Sequence, residues 1–109
     1  MDLKEDRVIG IVGGMGPQAG VALFSNIVRF TSATQDQQHL STILMSFPRH
    51  IPDRTLFLEG VAEINPAVNV VNIIRKLESA GASVVGIACN TCHAPAIFDV
   101  IARELDRIK

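Results

Sequence analysis

Cys89 is the residue of this sequence that is best placed to do chemistry. It follows a short apolar run, residues 84–88, which is rich in β-branched side chains and predicts a buried strand. Residues 90–93 predict a turn that leads into a helix. A helix N-terminus stabilises a thiolate, and parallel α/β sheets bind ligands outside the carboxyl ends of their strands. We therefore predict that Cys89 acts as a nucleophile or a base in a ligand site.

The same segment also spells C-x-x-C-H, through Cys89, Cys92 and His93, which allows three other interpretations. The c-type haem signature requires export and a different fold. A thioredoxin-like C-x-x-C pair fits the strand–helix context, although the units before it lack a thioredoxin-like composition. A zinc site made by these three residues lacks a fourth ligand at a suitable spacing. We interpret Cys92 as a small helix residue near the site and keep the redox interpretation as an alternative.

A glycine-rich turn follows the first predicted strand. Its sequence, Gly14-x-Gly16-x-x-Ala19, fits the loose form of the dinucleotide-binding fingerprint. That fingerprint also needs an acidic residue at the end of the second strand, where this chain has Phe47-Pro48-Arg49. Two further interpretations are a tight strand–helix connection and a backbone that approaches a small anionic ligand at a helix N-terminus.

Arg54 lies in a long segment, residues 48–64, that we predict to be irregular apart from a short helical turn. Segments of this length without regular structure are often binding loops. Arg54 is either a fork-shaped clamp for a substrate carboxylate or a solvated arginine held by Asp53. His39 and His50 lie in polar segments and are expected at the surface.

The composition limits the kind of protein. The chain has 109 residues, a formal net charge of -1, 48% hydrophobic residues, no Trp or Tyr, and five Phe. We expect one domain with an aliphatic core, and no electrostatic attraction to nucleic acid or to a membrane. Residues 1–7 lack the apolar stretch of a signal peptide, and no apolar run approaches the ~20 residues that span a bilayer. Because two cysteines so close together cannot build a disulfide scaffold, we expect a cytoplasmic protein with reduced thiols.

Three strand–helix units predict an α/β fold. The strands are Val8–Val12, Thr42–Phe47 and the run before Cys89, and an apolar stripe predicts a helix after each of them. Pro17 suits the first position of the first helix, and Asn65 suits the N-cap of the second. This alternation implies a three-layer βαβαβα domain with a parallel sheet covered on both faces. The stripes are formed by Leu23, Phe24, Ile27 and Val28; by Ala67, Val70, Val71, Ile74 and Leu77; and by Ala94, Phe98, Ile101, Leu105 and Ile108.

The last helical pattern continues to Lys109 without a Gly, Asn or Pro stop signal. Three parallel strands also make a small sheet. We therefore expect residues 1–109 to be the front half of a longer protein. An unfinished sheet edge would favour association with itself or with another chain.

Four motifs in this order resemble the aspartate/glutamate racemase family, and in particular its cofactor-independent aspartate racemase branch. The resemblance covers nearly the whole chain from Val8 onward. The motifs are Gly13-Gly14-Met15-Gly16-Pro17, Asp36-Gln37-Gln38-His39, Ile51-Pro52-Asp53-Arg54-Thr55 and Cys89-Asn90-Thr91-x-His93.

The resemblance implies an enzyme of two similar α/β domains with the active site between them. Residues 1–109 would be its N-terminal domain, and the C-terminal domain would be absent from this chain. Each domain contributes one cysteine, and Cys89 matches the N-terminal one. By the same resemblance, Arg54 binds the side-chain carboxylate of the substrate and Met15 lines the site. Asn90 and Thr91 match residues that bind the α-carboxylate and the amino end.

The expected activity is racemisation of an acidic amino acid, aspartate or glutamate and more specifically aspartate, without a cofactor or a metal. One base must take the α-proton while an acid on the other face returns one, which a thiolate/thiol pair does in either direction. Cys92 cannot be the partner thiol, because it lies one helical turn from Cys89 and on the same side of the substrate. We therefore expect the isolated chain to be inactive, and expect it to form a homo-oligomer or to pair with a C-terminal domain. The alternatives are a non-catalytic ligand-binding or self-associating half-domain and a C-x-x-C redox protein.

Two departures from the family pattern bear on this chemistry. Cys92 occupies a position where the family often has a small residue without a thiol, which makes oxidation to a Cys89–Cys92 bond possible. The run Phe47-Pro48-Arg49-His50 also differs from the usual one before the Arg54 motif, which affects the expected substrate preference.

Overall fold

The three predicted strands form one parallel sheet with β1 in its centre. In the computed structural model, which describes residues 6–106, β1 (Val8–Gly13) pairs with β2 (Ser41–Ser46) and with β3 (Ala82–Ile87). Val12 of β1 lies opposite a residue near the end of each neighbouring strand, so all three strands end at the same edge of the sheet. The glycine turn after β1 and Cys89 after β3 therefore meet at this edge.

Helices cover both faces of the sheet. On one face, α1 (Pro17–Phe30) packs on β1 and β2, and on the other face α3 (Ala67–Ser79) packs on all three strands. The last helix, α4 (Pro95–Asp106), packs against α3, and the short α2 (Arg54–Leu58) contacts the turn that follows Cys89. This arrangement confirms the predicted three-layer α/β fold.

The core between the sheet and α3 is aliphatic, as the composition predicted. All five residues of the stripe predicted for α3 are buried, and Val12 and Ile101 pack in the same cluster. The stripe predicted for α1 is less buried: Leu23 is only half-buried and Val28 is exposed. The reason is that α1 packs mainly on β1 and β2, and leaves the face of β3 on its side largely uncovered.

The glycine turn brings α1 close to the end of the sheet. Gly14 has a φ of 96°, and a Cβ there would lie 3.0 Å from the backbone nitrogens of Phe47 and Pro48. A Cβ on Gly20 of α1 would lie 3.2 Å from the Cα of Gly13. The first turns of α1 can therefore lie directly over the edge where the strands end.

The long segment before α3 contains the predicted short helix. A 3₁₀ turn, Pro48–His50, is followed by α2, whose N-cap is Asp53. The Asp53 carboxylate accepts a hydrogen bond from the Leu56 N–H at 2.9 Å. This cap places Arg54 at the first position of α2.

Several element boundaries differ from the prediction by one or two residues. The α3 helix has Pro66 rather than Asn65 at its N-cap, although Asn65 Oδ1 still accepts a hydrogen bond from the Ala67 N–H at 2.9 Å. The Asn65 amide also donates to the Ala96 carbonyl at 3.1 Å, which ties this corner to α4. The strands β2 and β3 begin one and two residues earlier than predicted.

None of the helices described between residues 6 and 106 is long and apolar enough to cross a membrane. Two sequence expectations lie wholly or partly outside the described residues. They are the mixed-charge stretch of residues 1–7 and the continuing helix of residues 107–109, which includes Ile108.

Candidate active site

A groove of about 500 Å³ opens at the edge where β1 and β3 end. The structure brings all five sequence-predicted site residues to its lining, although they come from three distant parts of the chain. These five are Met15, Arg54, Cys89, Asn90 and Thr91, and the remaining lining residues are Ala19, Ala22, Leu23, Asn26, Ile87 and Ala88.

Hydrogen bonds hold the backbone of Cys89 on both sides. The N–H of Ala88 donates to the Val12 carbonyl at 3.1 Å, which extends the pairing of β1 and β3 beyond the end of β3. The N–H of Cys89 donates to the Ile87 carbonyl at 2.9 Å, and its own carbonyl accepts a hydrogen bond from His93 Nδ1 at 2.7 Å. Cys89 is half-buried and lines the groove, so its side chain remains accessible to a small ligand.

A turn and then a helix follow Cys89, as the sequence predicted. A 3₁₀ turn, Thr91–His93, comes first, and α4 begins only at Pro95. Ala94 is extended (φ −63°, ψ 140°), because the residue before a proline is disfavoured in the helical region. The 3₁₀ turn separates Cys89 from the N-terminus of α4.

Cys92 is fully buried beneath the groove. Its Sγ lies 3.3 Å from the Sδ of Met15. Burial, with a hydrogen bond that the Cys92 thiol donates to the Cys89 side chain, raises the pKa of Cys92 to about 12, although the positive charge of Arg54 acts in the opposite direction. Cys92 is therefore a neutral thiol near neutral pH, and it packs as a small apolar residue.

Arg54 presents an unpaired donor. Its Nε is buried and has no hydrogen-bond partner among the described residues. The interpretation in which Asp53 holds a solvated Arg54 is wrong, because Asp53 caps α2 through Leu56 and Arg54 lines the groove. Buried polar groups in proteins nearly always have a partner, and a carboxylate in the groove would supply one.

Sequence reasoning missed the part of the lining that α1 contributes. Ala19, Ala22 and Asn26 follow a spacing of three and four residues, which places them on one helix face. Their small size could have marked this face as one that leaves room for a ligand. His93 was recognised only as part of a motif, and its spacing of four residues from Cys89 gave no hint of a contact with the Cys89 carbonyl.

The other interpretations of the motifs gain no support from the geometry. Between residues 6 and 106, no three His, Cys, Asp or Glu side chains are grouped so that they could hold a metal ion, which argues against a zinc site at Cys89, Cys92 and His93. Both cysteines are free thiols. The close packing of Gly14 against Phe47 favours a tight strand–helix connection over a dinucleotide fingerprint.

A smaller cavity of about 260 Å³ lies between the end of β2 and α3. His50 and Lys76 are among its lining residues, but none of the sequence-predicted site residues is. The groove at Cys89 is therefore the candidate active site.

A comparison with known protein families agrees with this geometry. The family model described as Asp/Glu/hydantoin racemase matches residues 12–106, a range that includes every residue lining the groove. This chain belongs to that racemase family.

A solved aspartate racemase from Picrophilus torridus has the same fold. It matches this racemase-family chain with a TM-score of 0.76 and 36% sequence identity over 86% of the chain. That likeness places the chain in the aspartate branch of the family, as the four motifs indicated. The chain covers 39% of the length of the Picrophilus protein.

Proposed function

We propose that this chain supplies one acid/base thiol and the carboxylate-binding residues of a cofactor-independent aspartate racemase. One observation carries the proposal: a single groove contains a half-buried free thiol, Cys89, and a guanidinium with an unpaired buried N–H, Arg54. A small amino acid with a second carboxylate matches both groups.

In the proposed mechanism, the Cys89 thiolate removes the α-proton and a thiol on the opposite face of the α-carbon returns one. Arg54 binds the side-chain carboxylate through the fork of its guanidinium. Asn90 and Thr91 hold the α-carboxylate and the amino end, so that their polar groups also face the charge that develops on the carbanion.

The second thiol has to come from outside residues 89–93, the segment that we call the Cys89 turn. Cys92 is fully buried, burial raises its pKa to about 12, and it is not among the residues that line the groove. We therefore place residues 1–109 as the N-terminal domain of a two-domain enzyme, and we expect the isolated chain to be unable to interconvert the enantiomers.

We also infer that the reaction needs no pyridoxal phosphate. An enzyme of that kind uses a lysine to form a Schiff base, and the residues that line the groove include no lysine. The mechanism needs free thiols, which fits a reducing compartment such as the cytoplasm.

The role of Arg54 is tested by the binding of L-aspartate, followed by NMR. We expect Arg54→Gln to weaken binding by roughly tenfold or more, because it removes a charge-assisted hydrogen bond. Binding of L-asparagine, which lacks the side-chain charge, should change much less. The matched control is Arg75→Gln, since Arg75 is exposed on α3 and lies outside the groove. Equal aspartate affinities for the wild type and Arg54→Gln would contradict the proposed substrate.

A second candidate function is a half-domain that associates without catalysis. The observation that favours it is the outer edge of β3, which pairs with none of the strands described between residues 6 and 106. Beside this edge is an apolar groove of about 320 Å³, and Val84 of β3 is 64% exposed. Under either function, we propose that this edge is where a second copy or a C-terminal domain docks. The apolar groove is lined by Ile74, Val85, Ile87, Phe98, Ile101, Ala102, Leu105 and Asp106.

A further inference from the structure

His93 makes two contacts that fix its ring beside the candidate active site. Its Nδ1 lies 2.7 Å from the Cys89 carbonyl oxygen, and its ring stacks on Phe98 at 5.4 Å between centroids and an interplanar angle of 17°. His93 itself is exposed, so burial alone does not fix the ring. The two contacts join the Cys89 turn to the first turn of α4.

The chemistry of this hydrogen bond determines where the imidazole proton lies. A backbone carbonyl oxygen can only accept, so Nδ1 of His93 has to donate. In the neutral ring the proton is then on Nδ1, and Nε2 carries the lone pair. The N–H that points at the Cys89 carbonyl also offsets part of the negative charge of that oxygen, close to the Cys89 sulfur.

The stack on Phe98 gives the ring its orientation. Phe98 lies in α4, where its N–H donates to the Ala94 carbonyl at 2.8 Å, so its backbone is fixed by the helix. Loss of the hydrogen bond to His93 would release the Cys89 carbonyl, and the 3₁₀ turn Thr91–His93 would lose its side-chain tie to Cys89.

From these contacts we infer that His93 is a positioning residue for Cys89, which holds the thiol in the groove wall by donating from Nδ1 to the Cys89 carbonyl. The inference deepens the proposed function, since it rests on the role of Cys89 there. Its tests do not depend on turnover of an amino acid, so a failure of this inference can be told apart from a failure of the proposed function.

The first test is a long-range ¹H–¹⁵N correlation spectrum of the full chain, at a pH where the imidazoles are neutral. We expect the His93 ring to carry its proton on Nδ1. A ring with the proton on Nε2 would place two acceptors face to face and would overturn the inference.

The second test measures the rate at which iodoacetamide alkylates Cys89 at neutral pH, with the modified cysteine located by fragment-ion mass spectrometry. We expect His93→Ala to slow this reaction roughly threefold or more, the size of effect expected for one lost hydrogen bond. His93→Asn should recover the rate to within about twofold, because the Asn side-chain N–H replaces that of Nδ1 at the same distance from Cα. His93→Gln, whose amide lies one bond farther out, should remain slow.

The control for the alkylation test is His50→Ala, which removes an exposed histidine away from the groove and should react like the wild type. Urea unfolding checks that each variant is folded. If His93→Ala does not fold, the alkylation rates of His93→Asn and His93→Gln still test the inference. Equal rates for wild type and His93→Ala, or for His93→Asn and His93→Gln, would overturn the inference.

Discussion

The two cysteines of the Cys89 turn differ because their surroundings differ. Cys89 is half-buried and faces the groove, whereas Cys92 is fully buried against the sulfur of Met15. Burial penalises the thiolate more than the thiol, so the pKa of Cys92 is raised to about 12. A single turn can therefore hold one thiol for chemistry and another for packing.

The raised pKa of Cys92 predicts a loss of stability at alkaline pH. The unfolded chain loses the Cys92 proton near its ordinary pKa of 9.0, whereas the folded chain keeps it to about 12. Above pH 9.0 the folded state binds more protons, so the free energy of unfolding falls as the pH rises. Between neutral pH and about pH 10.5, we expect urea unfolding of the wild type to lose on the order of 1–2 kcal/mol more than that of Cys92→Ala. Parallel pH profiles of the two proteins would contradict this assignment.

At the scale of the elements, the site depends on how closely the glycine turn approaches β2. Gly14 combines a left-handed φ of 96° with a close approach to the chain after β2, since a Cβ on Gly14 would lie 3.0 Å from backbone atoms of Phe47 and Pro48. Gly16, two residues later, has a φ of −76° and open space around it. The two glycines therefore carry different constraints.

We expect Gly14→Ala to lower the free energy of unfolding by about 1–3 kcal/mol, through backbone strain and the contact with the end of β2. The matched variant Gly16→Ala should stay within about 0.5 kcal/mol of the wild type. Urea unfolding measures both values. If the two variants are equally stable, Gly14 does not carry the constraint that we assign to it.

Most of these elements could be predicted from the sequence, because their signals are local. The stripe of α3 and the β-branched run before Cys89 depend only on spacing along the chain. The apolar pattern from Ala94 onward likewise predicted the last helix, which begins at Pro95. The contact of Cys92 with Met15 could not be foreseen, since it joins residues 77 positions apart.

The candidate site was predictable to a similar extent and for a similar reason. Strand ends and motif order pointed to Cys89 and Arg54, and the groove does contain both. The lining from α1 and the hydrogen bond of His93 depend on helix rotation and on side-chain direction, which no spacing rule determines. The unpaired Nε of Arg54 is likewise a property of packing.

At the scale of the whole molecule, the outer edge of β3 is the feature that most needs a partner. Val84 of this edge is exposed and lies beside the apolar groove. Proteins normally cover or charge such an edge, because an exposed edge strand pairs readily with another chain. For the chain by itself we therefore predict self-association through this edge.

Sedimentation velocity over a range of concentrations tests this prediction. We expect the wild type to form dimers at high concentration, and Val84→Lys to shift the equilibrium toward monomer by placing a charge at the edge. Val21→Lys is the matched control, since Val21 is 58% exposed on α1 and away from the β3 edge. A wild type that stays monomeric at every concentration would rule out self-association.

The central claim is that Cys89 exchanges the α-proton of aspartate from one face. It is tested most directly by incubating the chain with L- and D-aspartate separately in D₂O and following the α-proton by ¹H NMR. We predict that one enantiomer exchanges with retention of configuration, that Cys89→Ser abolishes this exchange, and that Cys92→Ala keeps most of it. Efficient interconversion of the enantiomers by the isolated chain, at a rate that Cys89→Ser leaves unchanged, would contradict the claim.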